Sequence, residues 1–119
     1  MLNKVCVLTI KVRDLKESLE FYTNVLDFKV SKQYGEKIVS LVHNEVPIVL
    51  EEVETVGVGR NQVLLGILSE DIEKDFRQLK DKGVKVIFDE PMPCPPGRYF
   101  IIEDPNGNQL EIVEFSNMN

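Results

Sequence analysis

A repeat constrains this chain more than any other feature: a strand, a helix and three strands occur in that order, and then occur again. Residues 4–12 (KVCVLTIKV) are β-branched and apolar and read as a strand. Asp14 follows as an N-cap, with Glu17 three residues on, as in a capping box. Leu15, Leu19, Tyr22 and Leu26 recur at helical spacing and make one apolar stripe. Three strands are expected at 27–34, 38–42 and 46–53, with turns at Gly35 and at His43 to Glu45. Residues 54–61 (ETVGVGRN) have two glycines and no periodicity, and read as a linker.

The order then returns. Residues 62–68 (QVLLGIL) read as a strand. Residues 69–82 read as a helix with Ile72, Phe76 and Leu79 on its stripe and Gly83 at its C-terminal cap. Residues 84–88 read as a strand. Residues 89–97 (DEPMPCPPG) carry too many prolines for a helix or a central strand, and read as a loop. Strands at 98–103 and 109–115 flank DPNGN at 104–108, a turn by its Pro and Gly. Asp14 and Asp71 stand 57 positions apart, and Glu51 and Glu111 stand 60 apart. Such similar offsets indicate a duplicated unit, with modules at 4–53 and 62–115. One half alone would leave a bare sheet face; two halves can cover those faces and leave a cleft between them.

At 119 residues the chain is the size of one domain. With 43% apolar and 29% charged residues it has a soluble globular composition. A net charge of −6 without a basic patch argues against nucleic acid as a partner. No apolar run approaches a membrane span, and no signal peptide is evident. Cys6 and Cys94 are far apart and outside any CxxC pattern, which suits a reducing cytoplasm.

Two segments resemble a known family. SLEFYTNVLDF (Ser18 to Phe28) is similar to the first-helix motif of the glyoxalase/bleomycin-resistance/dioxygenase (vicinal oxygen chelate) superfamily, with Asp27 in place of the usual Gly. RYFIIEDPNGNQLEIVEF (Arg98 to Phe115) resembles its C-terminal hairpin. The resemblance covers nearly the whole chain, and the C-terminal motif is its specific part. It implies an α+β fold of two βαβββ modules forming an open barrel-like mixed sheet around one cavity. It also implies a homodimer and, in many members, a divalent metal. The family's ligands are a His or Gln near the start of each module's first strand and a Glu in the last strand of each module. Here the first two positions fall on Val7 and Leu64, which cannot coordinate a metal. The last two match Glu51, or Glu52 if the register slips by one, and Glu111. Two carboxylates without imidazole suit zinc, nickel or iron poorly, so Glu51 and Glu111 are only residual metal candidates and no cofactor is expected.

The sequence therefore predicts an apolar pocket. Val7, Thr9, Leu64 and Gly66 share its floor by period-two alternation, with the carboxylates of Glu51 and Glu111 above. Glu111 either fixes a cationic or hydrogen-bonding ligand group or is a solvated relic. Arg98 either clamps an anion or is salt-bridged, and Tyr99 stacks on a ring. His43 reads as an exposed turn residue, and Cys94 lacks a neighbour that would activate it. The leading function is a metal-free binding protein for a small organic ligand, such as an antibiotic or metabolite. The alternatives are a metal-dependent lyase, isomerase, dioxygenase or thiol transferase, and a non-catalytic regulatory or structural domain.

Overall fold

The computed structural model describes residues 2–54 and 62–116. Of the expected linker only Glu54 is described; 55–61 lie outside the described residues. The chain splits into two compact units, Val7–Leu64 and Met1–Cys6 with Leu65–Asn119. The boundary falls inside the first strand, so the start of the chain belongs with the second module: Leu68 N–H donates to the Lys4 carbonyl at 2.9 Å.

In the first module β1 (Val5–Val12) leads to α1 (Leu15–Glu20), then to β2 (Val30–Tyr34), β3 (Ile38–Leu41) and β4 (Ile48–Glu52). The strand order is β2-β3-β4-β1, with β1 parallel to β4 and the other pairs antiparallel. In the second, β5 (Val63–Leu68) leads to α2 (Ile72–Asp81). After it come β6 (Lys85–Val86), β7 (Met92–Cys94), β8 (Gly97–Glu103) and β9 (Gln109–Phe115). Its order is β5-β9-β8-β6, with β5 parallel to β9 and β7 paired to β8. Each sheet is mixed and open, and the class is α+β as expected. The proline-rich loop differs from expectation, because three of its residues form β7. Met92, Pro93 and Cys94 pair with Tyr99, Arg98 and Gly97. Proline is tolerated there because only one side of the strand is bonded.

Each helix covers one face of its own sheet. Val12, Leu15, Val39, Leu41 and Leu50 form the first core, with Leu19, Tyr22 and Phe28 packed on it. Ile72, Phe76, Phe100 and Ile112 form the second. A fully buried Leu or Ile of this kind stabilises by about 1.5–3 kcal/mol. Leu26 is the exception to the predicted stripe. After Glu20 the helix widens into a π-turn at Phe21–Val25, with Leu26 N–H bonded to the Phe21 carbonyl. The extra residue per turn rotates Leu26 outward, where it is half exposed. Phe28 takes the vacated place, its ring edge-on to Tyr22 at 5.9 Å.

Candidate functional site

Strand alternation sorts the candidate residues onto two faces. In β4, Ile48 and Leu50 pack toward α1, and Glu52 follows them: its Oε1 accepts from Leu15 N–H at 2.8 Å. Glu51 therefore lies on the helix-free face, with Val7 and Thr9 of β1. In β9, Ile112 packs toward α2, and Glu114 Oε2 accepts from Ile72 N–H at 3.1 Å. Glu111 lies on the helix-free face with Gly66, its register partner in β5.

The two registers correct one expected equivalence. Gly66 pairs with Glu111, whereas Thr9, 57 positions before Gly66, pairs with Val49. Glu52 and Glu114 hold the same place at the starts of their helices. The counterpart of Glu111 in the first module is thus Val49, and Glu51 corresponds to Val113. With this register, the four ligand positions that the resemblance implies read Val7, Val49, Leu64 and Glu111. A metal needs several donors, and this set supplies one carboxylate, so the residues present do not fit the group. Among the described residues no three His, Cys, Asp or Glu side chains gather where a cation could sit.

Val7, Thr9, Leu64 and Gly66 are buried; Leu64 is 1% exposed. Glu51, Tyr99 and Glu111 are half-buried and within reach of solvent. Tyr99 meets the edge of Phe88 at 5.2 Å. Arg98 does not join these residues. It lies on the α2 face, because β8 alternates Phe100 and Arg98 toward the helix, and its guanidinium pairs with Glu73 at 2.7 Å and Glu114 at 3.9 Å. Of the two readings of Arg98, anion clamp or salt bridge, these ion pairs are the second. His43 sits in an exposed turn, Nδ1 3.0 Å from the Val46 carbonyl.

Three features take roles that the sequence alone did not give them. Cys6 is half-buried, and burial first, then the charge of Glu111, push its thiol up, so little thiolate is present at neutral pH and it reacts slowly. Glu52 and Glu114 each tie a strand to a helix start; their matched places after Leu50 and Ile112 were the available signal. The third is a groove of about 520 Å³ in the first module. It is lined by Leu15, Leu19 and Thr23 of the α1 segment, Val30 and Gln33 of β2, and Glu52. It lies on the helix side of the sheet, opposite Val7, Thr9 and Glu51.

The chain matches the Glyoxalase/Bleomycin resistance protein/Dioxygenase superfamily model over residues 4–112, and it belongs to that family. No curated protein matches it significantly. Among solved structures it is similar to methylmalonyl-CoA epimerase of Streptomyces coelicolor in complex with 2-nitronate-propionyl-CoA. The TM-score is 0.81 at 20% identity, over 100% of this chain and 99% of that one. It is also similar to hypothetical protein BH1468 from Bacillus halodurans C-125, with TM-score 0.77, 22% identity and 98% and 96% of the two chains covered. A superfamily member from Vibrio splendidus 12B01 gives 0.66, 19%, 91% and 96%. At these identities the likeness speaks to the fold. No helix among the described residues is long and apolar enough to cross a membrane.

Proposed function

We propose that this chain is a metal-free small-molecule-binding member of the superfamily that sequesters an organic ligand, such as an antibiotic or metabolite, and does no metal chemistry. One observation carries the reading: three of the four family ligand positions, Val7, Val49 and Leu64, hold side chains with no donor atom. The ligand rests on the helix-free faces of the sheets. Val7, Thr9, Leu64 and Gly66 supply apolar backing there, and Glu51, Tyr99 and Glu111 supply polar and aromatic contacts. An acidic chain and carboxylates at the contact points favour a ligand with a cationic or hydrogen-bond-donating group. A cytoplasmic homodimer completes the proposal.

The first test is metal content by plasma mass spectrometry after incubation with Ni, Zn, Mn and Fe(II). The expected result is far less than one metal per chain. A tight metal on the unaltered protein would overturn the proposal and make the metal-dependent lyase, isomerase, dioxygenase or thiol transferase the leading reading. Thermal-shift screening of antibiotics and metabolites then identifies the ligand, and Glu111→Gln should weaken whatever binds.

A further inference from the structure

We infer that the groove on the α1 side of the first module is a second binding site, for a small organic cation with an apolar body. The second module supplies the internal template. There, Glu114 spends one carboxylate oxygen on the first amide of α2 and turns the other toward Arg98, which also bonds Glu73. A guanidinium thus sits between the last strand and the first helical turn. In the first module Glu52 makes the same helix contact through Oε1. Register places Lys37 where Arg98 stands, since Glu52 N–H bonds the Lys37 carbonyl and Arg98 is the partner of Glu114. Position 16, two residues after the N-cap like Glu73, is Lys16.

Two like charges have thus replaced the Glu–Arg pair, and no bridge forms. Lys16 and Lys37 are exposed, and among the described residues neither comes within ion-pair distance of an acid. Glu52 Oε2 has no hydrogen-bond partner among them. Where the second module has its own cation, the first has the open groove, floored by Leu15, Leu19 and Val30 and edged by Asp14, Glu20, Glu36 and Glu52, with Lys16 as the one basic residue among the described residues of the lining. Its volume of about 520 Å³ falls within the range of small-ligand sites. A primary ammonium or guanidinium on a short hydrocarbon or aromatic body satisfies both the bare carboxylate oxygen and the apolar floor.

The test is an NMR titration of the 15N-labelled full chain with 4-phenylbutylamine, set against 4-phenylbutanol and 4-phenylbutyrate. The amine is expected to shift the amides of Leu19, Thr23, Val30 and Gln33 and to bind about tenfold tighter than the alcohol, the worth of one charge-assisted hydrogen bond. The carboxylate is expected not to bind. The variant K16E/K37R rebuilds the second module's bridge, and should abolish binding without lowering the melting temperature. Glu52→Gln keeps the acceptor for Leu15 N–H but removes the charge, and should weaken the amine about tenfold. Equal binding of alcohol and amine, shifts confined to other residues, or undiminished binding by a folded Glu52→Gln would each overturn the inference. The site lies on the opposite face from Glu51 and Glu111, so its failure leaves the proposed function standing, and the reverse holds too.

Discussion

The two modules begin their helices alike and finish them differently. Asp14 and Asp71 each accept from the third amide of their helix, at 3.0 Å and 3.2 Å, while Glu52 and Glu114 take the first. At the far end α2 closes in a Schellman motif: Val84 N–H bonds the Leu79 carbonyl, Gly83 N–H bonds Lys80, and Gly83 adopts φ 84°. The first module has no glycine there. Its π-turn ends on Asp27 at φ 65°, with Phe28 N–H reaching back to Tyr22. The comparison teaches that a duplicated unit holds its helix starts by paired carboxylates, whereas its helix ends can drift, provided one residue tolerates the left-handed region.

The largest test of that difference lies at Gly97. A Cβ there would stand 1.9 Å from the Glu114 carbonyl oxygen. Its counterpart in the first module, Glu36, occupies an exposed turn. Gly97→Ala is expected to cost about 3 kcal/mol or to block folding, whereas Glu36→Ala should be close to neutral in urea denaturation. A mild Gly97→Ala would mean that the β8–β9 hairpin gives way easily.

The helix clamps come next. Glu114→Ala loses a charge-assisted bond to Ile72 N–H and strips Arg98 of a partner, for an expected loss of about 2 kcal/mol. Glu52→Ala loses only the helix bond, about 1 kcal/mol. Equal losses would show that the Arg98 bridge contributes nothing. At the helix ends, Gly83→Ala should destabilise by about 1 kcal/mol, and Asp27→Gly should stabilise by somewhat less than 1 kcal/mol, since Asp already tolerates this region. An Asp27→Gly protein that melts lower would break the comparison.

The smallest effects are chemical. Cys6 should alkylate slowly at pH 7.5, and Glu111→Gln should speed it, because part of the upward push on the thiol comes from that charge. In the DPNGN turn, Asp104 is held below its ordinary 3.8 by hydrogen bonds from Asn108, then from Asn106 and Gly107. A lowered folded value means its contribution is present above about pH 4 and is lost as the pH falls through the folded value. Asp104→Asn should flatten that part of the acid-unfolding curve.

Much of this was legible in the sequence. Alternation and helical spacing placed both helices and nearly every strand, and Asp14, Asp71 and Gly83 marked helix boundaries by local chemistry. The strand β7 was hidden because proline density reads as loop, and only the presence of β8 beside it makes an edge strand. Leu26 left its stripe because a π-turn is chosen by packing around Phe28, not by spacing. Of the proposed site, Val7, Leu64 and Glu111 were legible, because local motifs locate them. Val49 was not legible, because Glu51 and Glu52 follow it closely on the same strand and only cross-strand register tells these positions apart. Arg98 could be read either way until α2 brought Glu73 to it.

What the sequence determined by itself was the repeated strand-helix-strand order, the helix starts and the apolar side chains Val7 and Leu64 at two positions where the resemblance implies metal ligands. These depend on interactions within a few residues of each other, where spacing and side-chain chemistry suffice. Only the tertiary structure decided which carboxylates clamp helices, that Val49 answers to Glu111, and that one module is closed by its own guanidinium while the other is left open. Those outcomes rest on contacts between residues about 25 to 45 positions apart, whose partners are set by strand register and helix packing.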